Sequence, residues 1–404
     1  MNSDISTLSL SSLVTEMQES ATLKMAKLAR ELKSKGIDVI DLSLGEPDFD
    51  TPSHIKDAAK KALDEGYTKY TPVNGLPELR DAIVRKFARE NGLNYTPNQI
   101  VVSNGAKQSV YNLCMAFLDP GDEVILPAPY WVSYYEIVKM AGGIPVVAHS
   151  NIENDFKCSP EQLEALITDR TKFILYSSPC NPSGSVFSFD ELKSMAEMLQ
   201  QYEHVMVVSD EIYEHINFSG KHYSIASMDG MQDRTIIINC MSKGYSMTGW
   251  RLGYIAGPVW VADACTKIQG QVTSGATSFG QKAAAIALDS DQTPTREMAE
   301  AFHRRRDLIV SLFEQIPLLL INRPQGAFYV FPDVSAYFGK TAPDNHIVKD
   351  ADDLSLYLLA EARVSTVSGV AFGNERCIRL SYATSEDKLK EAAKRISEAL
   401  STLK

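Results

Sequence analysis

The sequence predicts an α/β fold: a largely parallel sheet of seven strands with helices on both faces, followed by a smaller α+β unit. Three observations point to it. Between Ile100 and Gly257 seven short apolar runs rich in β-branched residues alternate with helical segments, and strands that do not alternate apolar with polar residues are buried on both faces. Beyond Ile316 the pattern changes to shorter, more scattered strands. The length of 404 residues also exceeds what one core usually holds.

Taken in order, Thr22 to Lys35 carries apolar residues at 23, 25, 28, 29 and 32 and stops at Gly36, as an amphipathic helix does. The extended piece IDVIDLSLGEPDFDTP follows, and Gly45 ahead of Glu46-Pro47 marks a loop where backbone can approach a ligand closely. Helices are expected at 53–65 and 76–91, the second opening on Pro77. The seven strands are expected at Ile100–Ser103, Glu123–Leu126, Ile144–Ala148, Lys172–Tyr176, Val205–Ser209, Thr235–Asn239 and Gly253–Gly257. A long helical region from Gln281 to Ile316 leads into strands at Gly326–Pro332, Val364–Val367 and Cys377–Tyr382, with helices at 352–362 and 385–402. The division that results is an N-terminal arm and part of the smaller unit (1–50), a larger domain (51–295) and a smaller one (296–404).

Composition narrows the class of partner. Hydrophobic residues make up 44% and charged residues 23%, and no apolar run is long enough to span a bilayer. The start, MNSDISTLSLSSLV, lacks the basic and long apolar parts of a secretory signal, so a cytoplasmic location is expected. Six cysteines without Cys-x-x-Cys spacing read as free thiols, and the seven histidines have no metal-binding spacing. A net charge of −11 spread along the chain argues against nucleic acid.

In sheets of this kind a ligand lies beyond the carboxyl ends of the strands. The first strand leads into Asn104-Gly105-Ala106-Lys107, small residues opening a helix, where backbone N–H groups can bind an anion. The second leads to Trp131, a flat surface for a planar ring, and the fourth to Asn181 between two prolines. The fifth ends in Asp210-Glu211-Ile212-Tyr213, where a carboxylate can pair with a protonated ring nitrogen. The sixth delivers Lys243, with Arg251 eight residues on. Each residue alone is more often structural. Their joint order at successive strand ends is not, and an amine for a Schiff base beside a cation for a phosphate is what pyridoxal phosphate chemistry requires.

Nine segments, GEPDFDTP, YTPVNGLPELR, VSNGAKQ, GDEVILPAPYWVSY, SPCNPSG, SDEIYEH, SKGYSMTGWRLGY, PQGAFYVF and IRLSYATS, carry a resemblance over residues 20–400. The chain resembles the class I pyridoxal-phosphate aminotransferases of fold type I, in the branch of aspartate aminotransferases that also use prephenate. The resemblance implies that Lys243 binds the cofactor and moves the proton, and that Asp210 holds the pyridine nitrogen. It places Asn181 and Tyr213 at the ring hydroxyl and Trp131 on the ring. Gly105, Ala106, Lys107 and Arg251 then hold the phosphate, joined by Tyr70 of a second subunit, so that a homodimer with shared active sites is expected. For the substrate it implies Arg379 and Gly45 at the α-carboxylate, with Trp131 and Asn181 beside them, and Lys107 with Thr22 at a distal carboxylate. Amino acids and 2-oxo acids are the expected small-molecule partners.

Two departures stand out, Cys180 and Cys240, where a small or polar residue is common; both thiols are expected near the site and open to oxidation. His215 is read as structural. Two other activities fit the same fold, transfer to prephenate and carbon–sulfur bond elimination. A cofactor-sensing regulator is disfavoured because residues 1–20 are too short and too weakly basic for a DNA-binding module.

Overall fold

A short strand, β1 (Ile40–Asp41), precedes seven strands that form the main sheet in the computed structural model, which describes residues 10–17 and 19–404. These are β2 (Ile100–Ser103), β3 (Glu123–Pro127), β4 (Ile144–Ala148), β5 (Thr171–Ser177), β6 (Met206–Asp210), β7 (Thr235–Cys240) and β8 (Gly253–Ala256). All seven expected strands form, their ends within one residue of the reading. Every residue of β2, β6, β7 and β8 is buried, as apolar runs covered by helices on both faces require. The first nine residues, read above as lacking a secretory signal, lie outside the described residues. Among the described residues no helix is long and apolar enough to cross a membrane.

The strand order is β2-β8-β7-β6-β5-β3-β4. Neighbours from β7 through β4 run parallel, whereas β8 runs antiparallel to both β7 and β2. This single reversal matters for the site. Gly253 opens β8 and pairs with Ser103 and Cys240, the last residues of β2 and β7. Arg251 therefore reaches the carboxyl edge by preceding a reversed strand.

Four expectations are corrected. The helical region from Gln281 breaks into helices Ser278–Asp289 and Thr293–Phe313. Pro294 cannot donate into a continuous ladder, and the Gln292 side chain donates to the carbonyls of Ala287 and Ser290 at the break. Helix Pro77–Lys86 passes into a π turn, Phe87–Asn91. Of the strand expected at 364–367, β10 (Val364–Ser365) pairs with β1 and β11 (Val367–Ser368) pairs with β12 (Ile378–Ser381), so the chain changes partner at Thr366. The strand expected at 326–332 contracts to β9 (Tyr329–Val330), which pairs with β12.

The core of this second sheet gathers Phe302, Phe313, Phe328, Tyr329 and Tyr382, and it also takes in Ile40, Leu42 and Tyr213. Aromatic packing thus ties the loop after β6 to both chain-terminal parts, and the site forms where these cores meet.

Candidate active site

At the end of β2, Gly105 adopts a φ of +83° and caps helix Ala106–Phe117. The first N–H groups of that helix have no intrahelical partner and face an anion favourably. A Cβ at Gly105 would stand 2.4 Å from Arg251 Nη2, so glycine is needed for the guanidinium to close over this turn. Arg251 itself sits at φ +54°, and its Nη1 donates to the Thr248 carbonyl at 2.9 Å. Helix terminus and guanidinium form a cradle of phosphate size and sign.

Lys107, one residue into the helix, holds its ammonium 4.9 Å from the centre of the Trp131 ring. Burial, helped by Arg251, brings its pKa below the ordinary lysine value. Trp131 is half-buried and meets Tyr134 edge to face at 5.5 Å.

Asp210 ends β6, buried, and accepts from the Tyr134 hydroxyl at 2.5 Å and from the Ile212 N–H at 3.2 Å. Burial pushes its pKa up to about 6, with the Tyr134 hydrogen bond pulling the other way. Tyr213 is buried too, its hydroxyl 2.7 Å from that of Tyr329. The acidic neighbours of these two residues point elsewhere. Glu211 accepts from Ser209 and Ser224 and meets His222. Glu214 pairs with the fully buried Lys86 and accepts from Asn91 and Asn239. Burial opposes the Glu214 carboxylate, yet Lys86, with His215 and His222, holds its pKa below the usual range. His215 bonds Glu90 at 3.0 Å and lies edge-on to Tyr245, in keeping with its structural reading.

Lys243 follows β7, and its ammonium donates to the Gly45 carbonyl. Burial brings its pKa down to about 8, with Arg379 and Arg251 adding to the effect against Cys240. An amine so held is neutral in a substantial fraction near physiological pH, as a nucleophile or base must be.

Arg379, on β12, is buried between the rings of Tyr329 and Phe372, at 4.6 and 4.8 Å. Its Nη1 donates to Asn181 Oδ1 at 2.9 Å and its Nη2 to the Ser43 carbonyl at 2.5 Å, while Nε has no partner among the described residues. A buried guanidinium with an unused donor and, among the described residues, no carboxylate paired with it is suited to an incoming anion.

One chain therefore brings together Gly45, Gly105, Ala106, Lys107, Trp131, Asn181, Asp210, Tyr213, Lys243, Arg251 and Arg379. Thr22 is not brought in, and Tyr70 is expected from a second subunit. Tyr70 is 98% exposed and touches none of them. Thr22 is half-buried in the first turn of helix Ala21–Ser34, without a hydrogen bond to the cluster; its neighbour Ala21 and the Trp131 neighbour Val132 pack against one apolar group. Cys180 and Cys240 are correctly placed near the site, but both are buried and burial raises both thiols, which opposes the expected oxidation. Sequence reasoning passed over Tyr134, Tyr329 and Phe372. Tyr134 lies one helical turn from Trp131 and Tyr329 lies within PQGAFYVF, yet only the fold shows what their hydroxyls meet.

A phosphate cradle, a flat indole, a buried acid, the polar groups of Asn181 and Tyr213 and a lysine of lowered pKa suit a site for pyridoxal phosphate. The donor set fits that group at each point. The family model for aminotransferase class I and II matches residues 37–396, and the chain belongs to this family. It is 47% identical to the aspartate/prephenate aminotransferase of Cereibacter sphaeroides, over 96% of this chain and 97% of that one. It is 46% identical to the bifunctional aspartate aminotransferase and glutamate/aspartate-prephenate aminotransferase of Petunia hybrida, over 98% and 84%. Among solved structures it resembles the aspartate aminotransferase from Rhizobium meliloti (TM-score 0.95, 43% identity, 98% and 100% covered). It also resembles the Thermus thermophilus aspartate aminotransferase with maleate (TM-score 0.91, 42% identity, 97% and 100% covered).

Proposed function

We propose that this protein is an aspartate aminotransferase that moves an amino group between L-aspartate or L-glutamate and 2-oxo acids, oxaloacetate and 2-oxoglutarate among them. The reaction runs in two half-steps through pyridoxal phosphate. The observation that carries the reading is the proximity of Lys243, its pKa brought down to about 8, to the buried Arg379 with its unpartnered Nε.

The cofactor, when bound, supplies a carbonyl for the amino group and a ring that draws electron density from the substrate's α-carbon. Lys243 holds it, then takes the α-proton and returns it on the other side of the transfer. Asp210 keeps the ring nitrogen protonated, and Tyr134 fixes the carboxylate that does so. Asn181 and Tyr213 face the ring hydroxyl, and Trp131 covers the ring. Gly105, Ala106, Lys107 and Arg251 hold the phosphate. Arg379 binds the substrate α-carboxylate through a two-pronged contact, with Gly45 closing over it. Lys107, with Thr22, meets the distal carboxylate, which selects acidic substrates.

Transfer to prephenate is the second reading, favoured by the activities named for the relatives from Cereibacter and Petunia. The same Lys107 and Thr22 serve either acceptor. A homodimer completes the site: Asn104 and Arg251 line a cavity open to solvent, and the exposed Tyr70 is free to enter the corresponding cavity of a second copy. We place the division between larger and smaller domains near residue 295 and the enzyme in the cytoplasm. Lys243→Ala should abolish transfer from aspartate to 2-oxoglutarate, and comparison of kcat/KM for oxaloacetate and prephenate separates the two readings. An alanine variant with wild-type activity would refute the mechanism.

A further inference from the structure

Tyr329 is fully buried, its hydroxyl 2.7 Å from that of Tyr213, and the Arg379 guanidinium lies 4.6 Å from its ring centre. The same hydroxyl faces Gly45, where a Cβ would come within 2.2 Å of the oxygen. Glycine at 45 is what leaves the phenol its place. Tyr329 thus touches Tyr213 on the cofactor side and both Arg379 and Gly45 on the substrate side. Neither hydroxyl has another hydrogen-bond partner among the described residues.

The two hydroxyls carry two protons and share one contact, so one must donate and the other accept. A cation against an aromatic face withdraws electron density and makes the phenol a better donor. Arg379 therefore favours Tyr329 as donor. A Tyr213 oxygen that accepts here keeps its own proton for another acceptor, and a hydroxyl that accepts also donates more strongly. We propose that Tyr329 is a positioning residue that relays to the Tyr213 hydroxyl whether a carboxylate is paired with Arg379, and so helps set the pH at which the bound cofactor gives up its proton. The proposal rests on the reading of the site as a pyridoxal phosphate site. A carboxylate on Arg379 weakens the bias on Tyr329, Tyr213 donates less strongly, and the cofactor keeps its proton to higher pH. Asn181, also bonded to Arg379, provides a parallel link, so the relay carries part of the effect.

The test is a pH titration of cofactor absorbance in wild type, Tyr329→Phe, Tyr213→Phe and the double variant, each with and without succinate, an unreactive dicarboxylate. Loss of one hydrogen bond of ordinary net strength should raise the Tyr329→Phe midpoint by about half to one pH unit and shrink the upward shift that succinate causes. In the Tyr213→Phe background the second substitution should add nothing, since it acts through Tyr213. A Tyr329→Phe midpoint and succinate response equal to wild type, or an undiminished effect without Tyr213, would overturn the relay. A wild-type protein that takes up no cofactor would overturn the functional reading instead, and the relay with it.

Discussion

Arg379 and Asn181 share a hydrogen bond of 2.9 Å deep in the site, joining the guanidinium proposed for the substrate carboxylate to the amide proposed for the cofactor. On the proposed roles this contact is one of the links between substrate binding and cofactor orientation. Arg379→Lys keeps the charge but loses the planar fork, so kcat/KM for aspartate should fall about 100-fold or more. Asn181→Ala leaves the charge and removes its tether; a fall of about tenfold, with KM rising, is expected from the loss of one charge-assisted bond. Steady-state kinetics on the two variants checks both.

Lys243 owes its lowered pKa chiefly to burial. The neutral amine is the reactive form, so cofactor capture by the cofactor-free protein should speed up as pH rises through about 8 and level off above it. Stopped-flow absorbance across pH 6–11 measures this, within about one unit. A rate still climbing near the ordinary lysine value would mean that the amine is not desolvated.

Lys107 lies beside both Trp131 and Arg251 and is the cation assigned to the distal carboxylate. Lys107→Ala keeps the backbone N–H at the helix start for the phosphate and removes only the side chain, so it should lower kcat/KM for aspartate and glutamate about 10- to 100-fold while leaving alanine nearly unchanged, because the latter has no second carboxylate to lose. An equal loss for all three would assign Lys107 to the phosphate alone.

Glu214, in the loop after β6, and Lys86 form a buried pair, with side chains 4% and 0% exposed. Removing one partner leaves the other charge uncompensated, so Lys86→Met should cost about 3–5 kcal/mol in urea denaturation. The Glu214 carboxyl has a lowered folded pKa, so its contribution to stability is present above the ordinary carboxylate range and is lost as pH falls. Lys86→Met removes a main cause of that lowering, and the acid-unfolding midpoint should move to higher pH. Lys86→Met combined with Glu214→Gln should recover part of the loss.

The main sheet could be read from sequence because its strands are buried on both faces, and Lys243, Asp210, Asn181 and Trp131 could be read because they stand at strand ends. Pairing direction had no such signal: the reversal of β8, which brings Arg251 to Gly105, depends on partners far along the chain. The smaller sheet was blurred for a similar reason, since its strands are two to four residues long and change partner at Thr366. Tyr134 and Tyr329 stayed hidden because a phenol's role depends on what its hydroxyl meets, here Asp210 and Tyr213.

The most direct test of amino transfer is the isolated first half-reaction. Purified protein carrying pyridoxal phosphate, mixed with L-aspartate and no acceptor, should release oxaloacetate once, in proportion to the chains present, with loss of the cofactor's original absorbance. Added 2-oxoglutarate should restore that absorbance as glutamate forms, and Lys243→Ala should do neither. Continuous oxaloacetate release without an acceptor, or none at all from the wild-type protein, would contradict the account.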